Sequence, residues 1–289
     1  MSRAFDVLSP TGPEIPVVVE IPHAGLFIDP VAMGFTIAPV RGVGRDADLH
    51  VDRVYQGATA LGATVIVANA SRYVIDLNRG PSDFDGAAVE GGGAAALPRG
   101  LVWRLTTEGE PILARRLPRS ELDRRMTEIY QPYHQAVHAL LHDKRERFGF
   151  AILLCGHSMP SQGRRGHQDA GAVRVDVVPG SRGRSSAAAT VIDTVDRVAR
   201  AHDLSVSHDD PYKGGFATAH YGRPSEGFHA IQIEVARRLY MDEDRLGLDP
   251  VGLPRMQGFA DDVVRSLGKL GLTTPPHDPT PVRPTRLGP

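Results

Sequence analysis

The sequence predicts an α/β fold, an open sheet with helices packed against it. Three observations carry this expectation. Two runs, Val17-Val18-Val19-Glu20-Ile21 and Phe150-Ala151-Ile152-Leu153-Leu154-Cys155, are almost wholly apolar and rich in branched residues, the pattern of strands buried on both faces. Each run stops at a strand breaker followed by a histidine, Pro22-His23 in one case and Gly156-His157 in the other. Long stretches with apolar residues at helical spacing lie between and after them.

Pro22 cannot donate to a sheet ladder, so His23 should sit just past a carboxyl-end strand tip, with Gly25 permitting a sharp turn. In open α/β sheets the ligand crevice lies outside those tips. Taken alone, His23 also reads as a turn cap or a surface group. A helix is expected over 46–61, because Val51, Val54, Tyr55, Ala58 and Leu61 share one face and Gly62 comes next. Asp46 and Asp48 near its start fit N-capping and dipole compensation. Beside another polar strand end, Asp48 and His50 also fit a ligand set. Strands are expected over 64–69 and 72–80. The second places Arg72 at its start and Asn78-Arg79 at its end, an amide and a planar guanidinium fork suited to a carboxylate or to a surface ion pair. Residues 81–100, rich in Gly and Ala, read as a long loop, either a lid or a mobile connection. A short strand is expected over 101–105.

Residues 120–147 form the longest helical stretch, with Leu122, Met126, Ile129, Tyr133, Val137 and Leu141 in one stripe and Pro132 set to kink or divide it. His134, His138 and His142 recur every four residues and read as its solvated flank. The run at 150–155 then supplies the second strand-tip histidine, His157. Two buried strands presenting histidines at one edge, with an acidic helix start beside them, make a His/Asp/His set for Zn²⁺ that leaves a fourth position open for water. A polar loop over 159–172, a strand over 173–177, a helix over 185–202 and a short strand over 204–207 come next. The glycine loop at 211–216 is wrongly ordered for a phosphate-binding loop. In a last strand over 228–234, alternation sets Ala230, Gln232 and Glu234 on one face. Glu234 at its end suits a general base or a cap for the next helix. A helix over 250–270 closes one domain, 1–272, and residues 273–289 form a Pro-rich tail.

Composition excludes several function classes. The chain of 289 residues has 33 Lys and Arg against 34 Asp and Glu, a net charge of −1 without a basic stripe, so nucleic acid is not an expected partner. No apolar run reaches the roughly 18 residues of a membrane span, and the first ten residues lack a signal-peptide core. Cys155 is the single cysteine, so no intrachain disulfide is possible, which suits the cytoplasm. Twelve histidines favour metal chemistry.

Several segments, in order, resemble the N-formylglutamate amidohydrolase (deformylase) family. They are Ile21-Pro22-His23-Ala24-Gly25, Asp48-Leu49-His50-Val51-Asp52-Arg53, 71–79, Gly156-His157-Ser158, Pro211-Tyr212-Lys213-Gly214-Gly215, His220-Tyr221-Gly222-Arg223-Pro224, Ile231-Gln232-Ile233-Glu234 and Leu239-Tyr240-Met241-Asp242-Glu243. The resemblance runs over about residues 15–265. It implies a zinc-exopeptidase-like three-layer sandwich with a mixed central sheet and one catalytic Zn²⁺ or other divalent ion. The polar order also looks like that of a zinc carboxypeptidase, with one departure. The acidic ligand of that family comes three residues after the first histidine, where this chain has Leu26. The implied ligands are therefore His23, Asp48 and His157, with His50 as the alternative to Asp48.

By the same resemblance Glu234 is the base and Arg72 stabilises the oxyanion. Asn78 and Arg79 hold the substrate α-carboxylate, and Lys213 and Tyr221 serve a second carboxylate or the leaving group. The implied reaction cleaves N-formyl-L-glutamate to formate and L-glutamate, which suits histidine degradation. The partner is then a small N-acyl amino acid. Hydrolysis of other N-acyl amino acids or short peptides is the alternative on the same metal site. A metal- or carboxylate-binding protein without turnover is the alternative outside enzymes, and it would need neither Glu234 nor Arg72.

Overall fold

The computed structural model describes residues 3–94 and 96–272, so the tail expected at 273–289 lies outside the described residues. In chain order the elements are strand β1 (Phe5–Leu8), strand β2 (Val17–Ile21), and the short helices α1 (Pro30–Met33), α2 (Val40–Asp46) and α3 (Val51–Val54). Strand β3 (Thr64–Ala68) precedes a long irregular stretch, then helices α4 (Arg119–Arg125) and α5 (Gln131–Phe148) joined through a π-helical turn at Met126–Tyr130. Next are strand β4 (Ala151–Met159), strand β5 (Val177–Gly180), helix α6 (Ala189–Ala201), helix α7 (Phe216–Tyr221) and strand β6 (Phe228–Ala236). A small β7 (Met241–Asp242) and β8 (Gly247–Leu248) hairpin leads to helix α8 (Gly252–Gly268).

Six strands form one mixed sheet in the order β1-β3-β2-β4-β6-β5. The four inner strands are parallel, and the two edge strands are antiparallel to their neighbours. Every residue of β2, β4 and β6 is buried, because helices cover both faces. Alternation sorts the side chains into two cores. Val17, Val19, Ile152, Leu154, Ile231 and Ile233 pack against α6 and α8, while Val18, Leu153, Cys155 and Ala230 pack against α5. Helix, sheet, helix is the three-layer α/β arrangement expected. Burying each of these aliphatic side chains contributes about 1.5–3 kcal/mol relative to exposure.

Several expected elements are different. The helix expected over 46–61 does not form as one unit. α2 ends at Asp46, α3 covers only Val51–Val54, and Asp48 lies in the link between them. His50 takes a left-handed backbone (φ 67°), which no helix interior tolerates. The strand expected over 72–80 is a series of turns. Its apolar residues Val74, Ile75 and Leu77 are buried beyond the sheet, and Asp76 supplies local bonding that a ladder would otherwise give. Residues 101–105 and 204–207 make only isolated bridges, and the strand expected over 173–177 is shifted to β5. β1 carries no sequence signal. β4 and β6 each run past their expected ends, so His157 lies within its strand and Glu234, expected as the last residue of its strand, is followed by two more. The long helix divides at the π-helical turn just before Pro132, near the expected break. His138 is exposed on that helix as expected, but His134 is half-buried, its Nδ1 2.8 Å from the Tyr221 hydroxyl.

Candidate active site

The site lies at the carboxyl ends of β2, β4 and β6. The register pairs His157 with Glu234 as direct neighbours on adjacent strands, on one face. His23 arrives two residues beyond β2, and its backbone carbonyl accepts from the Asp48 N–H at 2.9 Å, which draws the α2–α3 link over the strand ends. The result is a buried triangle of His23, Asp48 and His157, whose ligand atoms all lie within 4.8 Å of one another. His50 is not part of it, since its Nε2 meets the Leu246 carbonyl at 3.1 Å.

The bonding around the triangle fits a divalent cation. The Asp48 Oδ2 atom is 2.8 Å from His157 Nδ1 and 3.4 Å from His23 Nδ1. His23 Nε2 is held by Asp76 Oδ1 at 2.8 Å, whereas His23 Nδ1 is buried with no hydrogen-bond partner among the described residues. A buried imidazole nitrogen facing a carboxylate and a second imidazole, with its other nitrogen on a carboxylate, is the pattern of a metal ligand oriented from behind. Burial raises the Asp48 carboxyl, but the hydrogen bond with His157 and the facing imidazole of His23 outweigh that and hold it well below the usual range. Asp48 is therefore an anion, as a metal ligand must be.

Asp76, which lies in the 71–79 segment but gets no role from the sequence, organises the neighbourhood. Its carboxylate also accepts from Arg72 Nη2 at 2.7 Å, from Trp103 Nε1 at 2.9 Å and from the Asn78 backbone N–H at 2.9 Å. Burial opposes its charge, yet Arg72, His23 and Arg79 hold its carboxyl well below the usual carboxylate range, so that it stays ionised. The Arg72 guanidinium lies over the Trp103 ring at 4.4 Å, so it is fixed from two sides. Arg237 is a second residue that sequence reasoning misses. It is buried just past β6 and donates to the Ala47 carbonyl at 2.6 Å and to Asp48 Oδ1 at 3.3 Å.

Glu234 Oε1 accepts from Gln232 Nε2 at 2.9 Å, and Oε2 has no protein partner among the described residues. Burial, with help from the Asp48 charge, pushes the Glu234 carboxyl up to about 7 against the pull of His157, Arg237 and Arg72. A carboxylate poised near neutrality suits proton transfer.

These residues open on a cavity of about 310 Å³ lined by six arginines and Lys213, against the carboxylates of Asp46, Asp48 and Glu234. Asn78, Arg79 and Lys213 all line it. The Asn78 amide is occupied within the protein: Oδ1 accepts from the Ala217 N–H at 2.9 Å, and Nδ2 lies 3.3 Å from His157 Nε2. Arg79 Nε donates to the Arg99 carbonyl at 3.1 Å and Nη1 to its neighbour's carbonyl. Tyr221 does not reach this cavity. It lines a separate surface pocket with Tyr130, His134 and His220. The structure thus brings together the residues singled out from the sequence, except Tyr221 and the alternative ligand His50.

Comparison with known proteins shows the family. The profile of the family described as N-formylglutamate amidohydrolase matches residues 15–241. The chain is 34% identical over 232 residues to the N-formylglutamate deformylase of Pseudomonas putida, covering 79% of this chain and 83% of the relative. It is 31% identical over 241 residues to the deformylase of Pseudomonas aeruginosa, covering 82% and 86%. Among solved structures, the N-formylglutamate amidohydrolase of Ralstonia eutropha JMP134 superposes with a TM-score of 0.83 at 29% identity, over 92% of this chain and 98% of that one. With the family match spanning most of the chain and relatives aligned over most of their own length, this chain belongs to the N-formylglutamate amidohydrolase family, hydrolases of a linear amide bond.

Proposed function

We propose that this protein hydrolyses N-formyl-L-glutamate to formate and L-glutamate, with one zinc ion held by His23, Asp48 and His157. The observation that carries the metal is the buried, unpartnered His23 Nδ1 facing Asp48 and His157, with Asp76 behind it. A bound zinc supplies Lewis-acid polarisation of the amide carbonyl and acidifies a water near it. Glu234 takes the proton of the attacking water and passes it to the leaving amine nitrogen, so that glutamate departs as the free amine. Gln232 holds Glu234 Oε1 and leaves Oε2 for that exchange. Arg72, pinned by Asp76 and Trp103, meets the oxygen that gains charge as the carbonyl carbon becomes tetrahedral. The cation-lined cavity suits a substrate with two carboxylates, and Arg79 is the receptor for the α-carboxylate.

The test is formate release from N-formyl-L-glutamate by the purified protein before and after chelation. Removing the metal should lower the rate by about 100-fold or more, and one equivalent of zinc should restore it. Full activity in protein shown to hold no metal would overturn the zinc assignment.

A further inference from the structure

The cations lining the cavity are not equivalent. Arg72 is bonded to Asp76, Arg164 to Asp46 at 3.1 Å and Arg237 to Asp48, so each of these charges is already answered inside the protein. Arg45 lies 3.7 Å from Glu108. Arg79, Arg99 and Lys213 have no carboxylate within ion-pair distance among the described residues. Lys213 is exposed at the rim, whereas Arg79 and Arg99 are half-buried. A desolvated guanidinium without a counter-anion is costly, and a ligand carboxylate removes that cost.

The two are also mechanically joined. The Arg79 side chain donates to the Arg99 backbone carbonyl, and Arg99 Nη2 donates to the Gly166 carbonyl at 2.5 Å. Arg99 is thus held between the loop after β3 and the loop after β4. Burial, then the like charges of Arg79 and Arg72, pulls the Arg99 guanidinium below its ordinary value in spite of Asp46.

We propose that Arg99 is the specificity-determining residue that binds the side-chain carboxylate of the substrate, while Arg79 binds the α-carboxylate. The order comes from chain geometry. Arg79 adjoins Asn78, whose amide touches the metal-ligand candidate His157, so Arg79 belongs to the carboxylate nearer the scissile bond. In an N-formylglutamate the α-carboxyl carbon is two bonds from the amide nitrogen and the side-chain carboxyl carbon is four. Arg99, pinned to Gly166 on the opposite loop, meets the farther one. This assignment rests on the function proposed above and names what that site reads.

The experiment compares kcat/KM for N-formyl-L-glutamate and N-formyl-L-glutamine in wild type, Arg99→Gln, Arg99→Lys and Arg79→Gln, with zinc content and Tm measured on the same preparations. Wild type should prefer the acid by about 10-fold or more, since one charge-assisted pair separates the two substrates. Arg99→Gln should collapse that ratio toward one, and Arg99→Lys should restore part of it because a point charge replaces a planar fork. Arg79→Gln should depress both substrates together and leave the ratio standing. If Arg99→Gln keeps the wild-type ratio while losing activity on both substrates alike, Arg99 is structural and the assignment fails. If wild type hydrolyses acid and amide equally well, the assignment fails although the deformylase reading stands. If wild type leaves N-formyl-L-glutamate intact, the functional reading fails and the assignment falls with it.

Discussion

At the scale of single residues, the active-site chemistry depends on how two carboxylates are treated differently by their surroundings. Asp48 meets two imidazoles and stays ionised, whereas Glu234 is buried beside that anion and is pushed up to about 7. The first suits a ligand and the second a proton acceptor. Glu234→Gln preserves shape and the bonding to Gln232 but cannot accept a proton. It should keep zinc while kcat falls by roughly 10²–10⁴. The pH dependence has a definite sign. The active form of Glu234 is the deprotonated one, so kcat/KM should fall on the acid side of the profile, with about 7 as the upper bound for that limb because it is the value without a cation. A bound cation favours the carboxylate and moves that limb to lower pH. In Glu234→Gln the limb should vanish from the residual activity. Zinc measured alongside kcat checks both statements, and loss of zinc in Glu234→Gln would make the residue a ligand.

At the scale of elements, the α7 approach sets the back wall of the site. Gly215 precedes α7, and its N–H donates to Gln232 Oε1 at 3.0 Å. A Cβ at Gly215 would come within 2.3 Å of the Asn78 side-chain nitrogen. Gly215→Ala must therefore displace Asn78, which touches His157 and receives the Ala217 N–H. We expect kcat/KM to fall by about 10-fold or more, since misplacing a positioning group is expensive in rate, while the fold loses only about 1–3 kcal/mol from overpacking. Steady-state kinetics and thermal melting on one preparation check the pair of outcomes, and unchanged kinetics would refute this role for the α7 entry.

The elements also show how much of the fold and site is legible in the chain. β2, β4 and β6 are legible because burial on both faces forces continuous apolar runs, and the two histidines are legible because Pro22 ends β2 just before His23 and Gly156 closes the apolar run of β4 just before His157. The helix expected over 46–61 shows the limit. Its apolar spacing is real, since Val51, Val54, Tyr55 and Ala58 all pack in one core. Spacing cannot reveal that His50 turns left-handed and frees Asp48 to face the histidines. The segment 72–80 misleads for a related reason. A buried apolar run looks alike in a strand and in a wound loop, and the Asp76 bonds that stabilise the loop connect residues up to 53 positions apart. Asp76, Gln232, Arg99 and Arg237 act largely through contacts with residues distant in the chain, so local pattern assigns them no role.

At the scale of the whole molecule, a nearly neutral chain concentrates positive charge in one place. The net charge is −1, yet six arginines and a lysine surround one cavity at the carboxyl edge of the sheet. The parallel strands make this possible, because they deliver their ends to the same edge while the long connections after β3 and β4 arch over it. Among the described residues no helix is long and apolar enough to cross a membrane. The proposed chemistry requires the buried histidine–aspartate triangle to be a metal site and not a hydrogen-bonded structural cluster. The most direct measurement is an anomalous difference map at the zinc edge from crystals of the protein grown with zinc. One strong internal peak is predicted at roughly 2.0–2.2 Å from His23 Nδ1, an Asp48 carboxylate oxygen and His157. A map with no peak there, or with His50 in place of Asp48 as ligand, would contradict it.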